Sequence, residues 1–431
     1  MEISYSKTLS LYTSADVFVA GGGPSGIAAA VSAARLGKKV VLVEQTGVLG
    51  GASILCMVAE FMTFDDGENF LSGGIGREVF DKFKFSHVYN RISYGIRYEE
   101  LKRVYDELVL NAGVEVMFYT KIVDVIAEDG LVKYAVLSTP SGLQTVEAKM
   151  FIDCTGSGIL ADFAGAEYGY GDENGNTMSA TICTLWGGVD FERKLPGDGR
   201  HIDKAYKDGV FSQYDTLLPG IRRTYKDIGV GFGNVGHCFK VDDRDVKSLT
   251  NAMFEGRKIL PEYETYYRGY LEGCENATII KSADFIGIRE SRRITCEYTL
   301  TGETFFSDTP FTDEIGRYSY PIDMHPITAD KKGMDGFQKH ISMRHERGQS
   351  YSIPYRSLVP KGIKNVLVAG KCIGADHTMQ ATIRVIPCCY ITGQAAGVAA
   401  SVCVDNNTTA ANADVKEIQN LLKQAGAYLK R

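Results

Sequence analysis

The feature that most constrains the fold is a glycine-rich turn between an apolar strand and an amphipathic helix near the N-terminus. The strand is predicted over 16–20 (DVFVA), and the turn over 21–26 reads GGGPSG. A helix is predicted over 24–35, because small and apolar residues recur there at i, i+3, i+4 and i+7. A second apolar strand over 39–43 follows. The whole unit of about 30 residues has the length and order of a βαβ unit with parallel strands.

The turn fits the GxGxxG pattern of dinucleotide-binding folds, with Gly21, Gly23 and Gly26 at the glycine positions. The first glycine permits a tight turn, the second lets backbone approach a pyrophosphate, and the third lets the helix pack closely on the strand. Pro24 suits the first helical turn, and Ser25 lies where the free amides of a helix start meet phosphate. The turn is therefore predicted to hold a dinucleotide diphosphate.

The glycine pattern alone is weak, because 47 glycines in 431 residues give roughly 0.5 matches by chance. A second match over 231–236 (GFGNVG) is predicted to be a loop, since no apolar strand enters it and no amphipathic helix leaves it. Glu44 strengthens the first match. It ends the second strand, where a carboxylate accepts hydrogen bonds from ribose hydroxyls and repels a 2′-phosphate, so NADP is disfavoured.

Size and charge limit the class of protein. The 431 residues exceed the roughly 250–300 that one hydrophobic core supports, so two domains are expected. A net charge of −6 and the absence of a Lys/Arg-rich run argue against a nucleic-acid partner. The N-terminus shows no signal peptide, and the longest apolar run, over 391–404, is too short for a bilayer and is predicted to be a buried helix. A cytoplasmic protein without a membrane partner is expected.

The ten cysteines and seven histidines suggest neither a zinc site nor a disulfide framework. No CxxC, HxxxH or HxH pattern occurs, so a metal site is not expected. The cysteines lie in apolar segments and are predicted to be buried free thiols of a reducing compartment. A redox role for Cys56 or Cys372 is a lesser alternative.

Beyond the first unit, the pattern predicts a helix over 98–112, strands over 114–119, 122–128 and 131–138, and a return to the parallel sheet over 151–154. The segment 169–354 is richer in Tyr, Asp and Gly and is predicted to be mixed, with a helix over 245–270. A final amphipathic helix is predicted over 414–429.

Four segments, 16–53, 151–168, 286–301 and 351–400, resemble the FAD-dependent oxidoreductases with the glutathione-reductase-type FAD fold, in the broad group that includes fumarate reductase flavoproteins. The last is the most specific: a strand over 366–369, a glycine turn at Gly370, a loop, and a helix carrying GQAAG. The resemblance implies an α/β fold. A Rossmann-like FAD-binding domain with a parallel sheet would be formed by residues 1–168 and 355–431. An inserted mixed α+β substrate domain would occupy 169–354.

The resemblance also implies that FAD is the cofactor. Some relatives attach FAD covalently through a histidine after the glycine pair, but 51–61 (GASILCMVAEF) contains none, so non-covalent binding is expected. By resemblance, backbone at Val123 would contact adenine, and backbone near Arg384 would approach flavin N1 and O2. The implied FAD contacts are Gly21, Gly23, Pro24, Ser25, Gly26, Glu44, Gln45, Gly50, Gly51, Ala52, Val123, Thr155, Gly156, Gly370, Arg384 and Val385.

Two residues are predicted to act in the chemistry. Arg289 lies in IGIRESRRI, which resembles a family segment near the flavin ring, and its planar fork suits a carboxylate or polar oxygen of a substrate. His377 follows the glycine loop and could move protons near neutral pH. An ion-pair network for Arg289, a loop hydrogen bond for His377 and a domain-interface ion pair for Arg384 are the alternatives. Weaker candidates are His237, His325, Tyr318 and Tyr320.

The resulting hypothesis is an FAD-dependent dehydrogenase or reductase that transfers hydride between a small polar metabolite and flavin N5. An oxygen-using oxidase or monooxygenase and a nucleotide-binding protein without turnover remain alternatives. A dehydrogenase that uses NAD alone is disfavoured by the GQAAG segment.

Overall fold

The computed structural model describes residues 3–4, 6–83, 85–86, 88–89, 93–195, 197–217 and 220–430. The strands are β1 (Ser10–Ala20), β2 (Val40–Val43), β3 (Glu60–Met62), β4 (Val88–Tyr89), β5 (Ser93–Gly95), β6 (Glu115–Met117), β7 (Lys121–Glu128), β8 (Leu131–Thr139), β9 (Gly142–Asp153), β10 (Tyr168–Gly169), β11 (Ala180–Thr181), β12 (Thr184–Gly187), β13 (Ile221–Tyr225), β14 (Val230–Gly233), β15 (His237–Cys238), β16 (Thr278–Ser282), β17 (Arg293–Ile294), β18 (Glu314–Tyr318), β19 (Tyr351–Pro354) and β20 (Val366–Val368).

The helices are α1 (Pro24–Arg35), α2 (Ile75–Asp81), α3 (Tyr98–Ala112), α4 (Ile159–Phe163), α5 (Ile202–Lys207), α6 (Val246–Tyr270), α7 (Gly302–Phe305), α8 (Lys331–Ile341), α9 (His377–Ile383), α10 (Ile386–Asp405) and α11 (Val415–Gln424). Short 3₁₀ helices occupy Gly51–Ser53, Lys226–Ile228, Tyr355–Leu358, Gly370–Cys372 and Ala410–Asn412.

The main sheet joins the two ends of the chain. Its strand order is β6-β2-β1-β9-β8-β7, and β20 also pairs with β9. The pairs β1–β2, β1–β9, β2–β6 and β9–β20 are parallel, while β7–β8 and β8–β9 are antiparallel. β2, β20 and the last four residues of β1 and of β9 are buried, which explains the apolar Val, Ile, Leu and Phe runs in these segments. The predicted α/β class with a parallel sheet is confirmed.

Two long helices cover this sheet region. α1 packs against α10 and α3, and α10 also contacts β1 and β9. α10 passes for a membrane span by length and composition, but its apolar window is 100% buried inside the protein. The prediction of a buried helix in this segment is therefore confirmed. An all-round apolar helix fits a position inside the core.

The middle of the chain builds smaller sheets. The largest has the order β13-β14-β12-β16, and α6 packs beside it. A second hydrophobic core lies here, formed by buried residues between 186 and 277, including Trp186, Tyr263 and Tyr267. The main core extends from 15 to 422 and includes residues such as Ile315 and Ile353 of the predicted substrate domain. The domain boundaries at 168/169 and 354/355 stay predictions.

Two sequence-based expectations differ from the structure. The second glycine pattern is not a loop throughout, because Gly231 and Gly233 lie in β14. A Cβ on Gly231 would lie 2.4 Å from Cγ2 of Ile221, and one on Gly233 would lie 2.6 Å from the Trp186 indole nitrogen, so close side-chain packing explains these glycines. The final helix ends at Gln424 rather than at 429. Gly426, two residues after this end, adopts a φ of 81°.

Candidate active site

The turn between β1 and α1 has the geometry that a diphosphate site requires. Gly21 adopts a φ of 98°, which favours glycine, and its amide donates to the Val43 carbonyl at 2.9 Å. A Cβ on Gly26 would lie only 1.8 Å from the Gly21 carbonyl oxygen, so helix and strand approach as closely as predicted. Gly23 caps α1, and Pro24 occupies the first turn. The first amides of α1 have no acceptor within the helix and can serve a phosphate.

A second glycine loop lies against this turn. Gly50 adopts a φ of 115°, and its amide donates to the Gly22 carbonyl at 2.8 Å. A Cβ on Gly51 would lie 3.0 Å from the Gly23 Cα and would press against the turn, whereas a Cβ on Gly23 would meet nothing closer than 3.9 Å. The structure thus places the predicted residues Gly50 and Gly51 beside the phosphate turn, with Ala52 following on the exposed side.

Glu44 ties the end of β2 to the same turn. Its carboxylate is buried and accepts hydrogen bonds from the Gly22 amide at 3.0 Å and from the Thr46 amide at 2.9 Å. The Glu44 carbonyl accepts from the Thr120 amide at 3.0 Å, which brings the start of β7 next to it. Glu44 therefore stabilises the turn in addition to lying at the position predicted for ribose binding. Its neighbour Gln45 is exposed.

Val123 lies at an irregularity in β7. The register of β7 against β8 shifts between Ile122 and Asp124, so Val123 has no paired residue in the ladder. A bulge of this kind leaves backbone groups outside the sheet hydrogen bonds. This position is compatible with the backbone contact to adenine that the resemblance implies.

The turn that follows β9 also contains a glycine. Asp153 is buried at the end of β9 and accepts from the Thr155 amide and hydroxyl at 2.9 and 2.7 Å. Gly156 follows with a φ of 74°. A Cβ on Gly156 would lie 3.3 Å from Cε of Lys371, which places the start of the last quarter of the chain at this turn.

The last quarter of the chain closes over the N-terminal turn, as predicted. A Cβ on Gly370 would lie 2.9 Å from Oγ of Ser25, and the Gly370 amide donates to Oγ1 of Thr392 at 3.0 Å. Farther along, a Cβ on Gly393 would lie 2.2 Å from the Ser25 carbonyl oxygen. The GQAAG segment thus has a physical reason, since its two glycines let α10 touch the backbone of α1.

Lys371 is a site residue that sequence reasoning missed. It lies between Gly370 and the buried Cys372, its side chain is half-buried beside Gly156, and burial lowers the pKa of its ammonium group. Within the described residues it has no carboxylate at ion-pair distance. Its position shortly after β20 could have indicated it, because ligands bind at the carboxyl ends of parallel strands.

The start of α10 has the predicted form. The helix begins at Ile386 with Pro387 in its first turn and Val385 as its N-cap. Arg384 precedes it and pairs with Asp323, whose carbonyl and carboxylate both accept from its guanidinium at 2.9 Å. The predicted alternative of an ion pair for Arg384 is therefore present. Its buried Nε has no hydrogen-bond partner in the described structure.

Arg289 is held by neutral groups. Its guanidinium donates to the Ser179 carbonyl at 2.7 Å, to Oγ1 of Thr181 at 2.6 Å and to Oδ1 of Asn234 at 3.3 Å. No carboxylate lies within ion-pair distance of it in the part of the chain described. Burial and the nearby Arg384 lower the pKa of Arg289 to about 10, so it stays charged at neutral pH. The ion-pair network predicted as its alternative instead forms on Arg293.

His377 belongs to that network. Its Nδ1 lies 2.6 Å from Oε1 of the buried Glu290, which also accepts from Arg293 at 2.5 Å and from the Met178 amide at 2.9 Å. His377 is the first residue of α9, and its side chain is half-buried. The structure gives this histidine an ion-pair contact, and its predicted catalytic role stays a prediction.

The weaker candidates divide into two groups. Tyr318 is fully buried and donates to the Thr63 carbonyl at 2.8 Å, which is a structural contact. Tyr320 donates to Asp323 at 3.3 Å, beside Arg384. His237 and His325 face each other, with Nε2 and Nδ1 separated by 2.7 Å. Tyr320, His237 and His325 lie in the same polar cluster as Arg289 and Arg384.

The cysteines near the site are not poised as nucleophiles. All ten are free thiols, and nine of them are buried. Burial raises the pKa of Cys56 to about 12 and that of Cys372 well above its ordinary value. Thiols with such pKa values stay protonated at neutral pH, so neither carries the thiolate that redox exchange needs.

These features fit FAD. The phosphate turn offers free amides at a helix start, and the two glycine loops leave a cradle that any Cβ would fill. Three cations, Lys371, Arg384 and Arg289, lie near the end of the site where the flavin is expected, and the Arg384 charge contributes to lowering the pKa of Lys371 and of Arg289.

A sequence profile described as FAD dependent oxidoreductase matches residues 16–422. The chain belongs to the FAD-dependent oxidoreductase family. Membership makes it an enzyme with FAD as its cofactor, and it agrees with the cradle described above. The matched region of the oxidoreductase begins within β1, just before the glycine turn, and extends beyond α10.

Individual relatives of the oxidoreductase are distant. A thiamine thiazole synthase of Pyrococcus horikoshii is 29% identical over 185 residues, covering 36% of this chain and 62% of that protein. A geranylgeranyl bacteriochlorophyll reductase-like protein of Thermoplasma acidophilum is 14% identical with a TM-score of 0.49, covering 96% of this chain and 83% of the other. The p-nitrophenol 4-monooxygenase of Pseudomonas putida DLL-E4 is 12% identical with a TM-score of 0.48, covering 95% and 84%.

Proposed function

We propose that this oxidoreductase transfers hydride between flavin N5 and a carbon of a small polar metabolite that carries a carboxylate or another hydrogen-bonding oxygen. When bound, FAD supplies the two-electron chemistry, and the protein supplies binding, orientation and charge. The observation that carries this proposal is the half-buried Arg289, a cation with no carboxylate within ion-pair distance in the described chain.

Arg289 has donors to spare. A guanidinium presents five N–H groups in a fixed fork, and the contacts to Ser179, Thr181 and Asn234 use three of them. Those contacts also fix the plane of the group. A cation that is oriented by neutral partners and removed from water favours an anionic or strongly polar oxygen, because such a ligand would recover the lost solvation.

Arg384 has the complementary arrangement. Asp323 neutralises it, and its carbonyl and carboxylate hold the guanidinium at the start of α10. The two arginines therefore differ in whether a carboxylate compensates their charge, and the Arg384 charge helps to lower the pKa of Arg289. This difference supports Arg289 as the substrate anchor and Arg384 as the residue that fixes the flavin-proximal end.

The proposal is tested by anaerobic screening. The yellow holoenzyme is mixed with hydroxy acids, sugars, amino acids and amines, and loss of the oxidised-flavin absorbance is followed, with photoreduction as the positive control. We expect bleaching by a carboxylate- or hydroxyl-bearing compound. Arg289→Gln should raise the substrate concentration needed by at least about tenfold while keeping FAD bound, because one charge-assisted contact is worth about 1.5–3 kcal/mol.

Arg344→Gln is the matched control, since Arg344 is exposed and its side chain donates only to the Ile341 carbonyl among the described contacts. It should behave like the wild type. Failure of every polar metabolite to bleach a flavin that light does reduce would contradict the proposal. So would substrate turnover that needs oxygen and leaves an oxygen atom in the product.

A further inference from the structure

Asn234 connects the second glycine pattern to Arg289. It lies in the turn between β14 and β15, and its side chain is half-buried. Its Oδ1 accepts from Nη2 of Arg289 at 3.3 Å and from Sγ of Cys183 at 3.6 Å. These two donors fix the orientation of the amide, because an NH₂ group turned toward the guanidinium would be repulsive. Nδ2 of Asn234 is thus left without an acceptor among the described contacts.

Close packing holds this turn in place. A Cβ on Gly233 would lie 2.6 Å from Nε1 of Trp186, and one on Gly236 would lie 2.7 Å from Cδ1 of Ile259. Gly236 also adopts a φ of 76°, which favours glycine. The two glycines therefore let the turn pack closely against Trp186 and Ile259. As a result, the backbone of Asn234 is held by its neighbours before any ligand binds.

The guanidinium of Arg289 keeps one edge free. Nη1 donates to the Ser179 carbonyl and to Oγ1 of Thr181, which uses both of its hydrogens. Nη2 donates one hydrogen to Asn234. The Nε hydrogen and the second Nη2 hydrogen have no acceptor among the described contacts. Nε and Nη2 form one edge of the planar group, and their spacing matches the two oxygens of a carboxylate.

Direct contacts connect the segment of Arg289 to the cofactor cradle. A Cβ on Gly287, two residues before Arg289, would lie 3.8 Å from Cβ of Cys56. Sγ of Cys56 also donates to the Ile286 carbonyl at 3.4 Å. Cys56 follows the 3₁₀ helix Gly51–Ser53, which begins in the glycine loop beside the phosphate turn. The segment that carries Arg289 therefore packs on the segment that leaves the cradle.

The charge of Arg289 is not compensated by the carboxylates around it. The carboxylates of Asp323 and Asp215 act to raise the pKa of Arg289, but both have other partners. Asp323 pairs with Arg384 at 2.9 Å. Asp215 accepts from the amide of His237 at 3.1 Å and lies 2.9 Å from its Nδ1. An anion that reached Arg289 would therefore meet a cation without an ion pair among the described residues.

We propose that Asn234 and Arg289 form a carboxylate subsite, and that the metabolite is a small organic acid held by the Nε/Nη2 edge of Arg289 and by Nδ2 of Asn234. This inference rests on the proposed function and narrows its substrate class. A carboxylate has enough lone pairs for all three donors. A single hydroxyl or carbonyl oxygen leaves at least one donor unpaired, and a primary amide turns its own N–H group toward them, so both bind less well.

The subsite is tested first on the wild-type holoenzyme. Acetate, glycolate and lactate are titrated against their primary amides acetamide, glycolamide and lactamide at constant ionic strength and without oxygen. Binding is followed by calorimetry and by the shift of the oxidised-flavin absorbance. We expect the acid of each pair to bind at least about tenfold more tightly than its amide, because hydrogen bonds between charged groups are stronger than neutral ones. Equal affinities within the pairs, or no measurable binding of any acid, would overturn the proposal.

Asn234→Asp changes the donor while keeping the size of the side chain. One carboxylate oxygen still accepts from Arg289, but an acceptor takes the place of Nδ2. We expect the acids to bind at least about tenfold more weakly and the amides more tightly, so that the order within each pair reverses. The gain by the amides is the decisive result, because a residue that only oriented Arg289 would weaken the acids without strengthening the amides.

Asn251→Asp is the matched control, since it makes the same change of charge at an exposed position of α6. It should keep the wild-type preference for acids. Amides that gain no affinity in a folded, FAD-loaded Asn234→Asp variant would remove Asn234 from the subsite. If this variant does not fold, the comparison of acids with amides on the wild type still decides whether a carboxylate is preferred.

Failure of this subsite differs from failure of the proposed function. Reduction of the flavin by neutral alcohols or sugars, with no preference for acids, would leave the proposed hydride transfer standing and would overturn the carboxylate subsite. Tight binding of the acids to an enzyme that no metabolite reduces would contradict the proposed function, while the subsite would stand. Binding and flavin bleaching, measured on the same holoenzyme, separate these two results.

Discussion

Gly393 in α10 lies so close to Ser25 in α1 that a Cβ on Gly393 would stand 2.2 Å from the Ser25 carbonyl oxygen. Gly397 repeats this contact one helical turn later, where a Cβ would stand 2.2 Å from the Ala29 carbonyl oxygen. Because Ser25 belongs to the phosphate turn, the packing of α10 also supports the cofactor site. The contact links the two ends of the sequence through backbone atoms.

Gly393→Ala is expected to force the two helices apart. Overpacking of this kind costs about 1–3 kcal/mol in a close-packed core, and the shift reaches the phosphate turn through Ser25. We expect a lower thermal midpoint and loss of bound FAD on gel filtration. Gly336→Ala in α8 is the matched control, because its Cβ would meet no atom within 4 Å. Equal stability of the two variants would refute the packing argument.

Gly23 and Gly26 should respond differently to alanine. A Cβ on Gly26 would collide with the Gly21 carbonyl, whereas the nearest atom to a Cβ on Gly23 is the Gly51 Cα at 3.9 Å. Gly26→Ala is therefore expected to destabilise the apoprotein. Gly23→Ala should leave the apoprotein stable but weaken FAD binding, and Gly23→Val should abolish binding by blocking the backbone approach. Urea unfolding of the apoprotein and fluorescence titration with FAD separate the effects. Full flavin occupancy of Gly23→Val would show that the diphosphate lies elsewhere.

Lys371→Met is expected to shift stability and cofactor affinity in opposite directions. The substitution removes a half-buried cation with no described ion pair, which favours the apoprotein, while it removes a positive group beside the FAD cradle. We expect a higher midpoint of apoprotein unfolding and an FAD affinity lower by roughly tenfold, or about 1.4 kcal/mol. Exposed Lys361→Met should change neither quantity. Unaltered FAD affinity would place Lys371 outside the cofactor site.

His345 gives a pH-dependent prediction. Burial and the Arg317 charge lower the pKa of His345 to about 4, and its buried Nε2 has no partner in the described residues. A histidine with a depressed pKa is neutral when folded, so the unfolded chain binds the extra proton as pH falls below its ordinary value of 6.5. Stability is therefore lost progressively between about pH 6.5 and pH 4.

His345→Phe should remove that loss, because phenylalanine cannot take up a proton and can stack on Phe305, whose ring lies 4.3 Å from that of His345. The difference in the free energy of unfolding between variant and wild type should grow from pH 7 to pH 5, as measured by urea unfolding. His201→Asn, at an exposed position, should follow the wild type. A difference that is constant with pH would show that His345 is not responsible.

Most of the elements described for the FAD-binding domain could be predicted from local patterns in the sequence. The periodicity predicted α1 and α3 at their observed bounds, and the glycine spacing predicted the turn at Gly21–Gly26, because close backbone approach tolerates no other residue there. The resemblance placed Gly370 and the GQAAG segment near that turn, as observed. These features depend on neighbours in sequence or on glycine, and both are visible in a single chain.

The polar contacts of His237 and His325 and the partner of Arg384 could not be predicted in the same way. Asp215, His237, His325 and Asp323 come from short segments without regular periodicity, and only tertiary packing brings them together. The second glycine pattern was misjudged because its glycines make room for Ile221 and Trp186, which lie in neighbouring strands of the same small sheet. Contacts between side chains on different strands leave no pattern within either sequence segment.

The packing of α1 on α10 has a consequence for biosynthesis. About 350 residues separate the end of α1 at Arg35 from the start of α10 at Ile386, and at about 5–20 residues per second a ribosome needs on the order of 20–70 seconds to make them. Throughout that interval the apolar side of α1 and one edge of β9 lack their final neighbours. The nascent chain therefore cannot complete the packing of its first nucleotide-binding unit until α10 has been synthesised, and until then the unpaired strand edge and the apolar helix face stay open to other contacts.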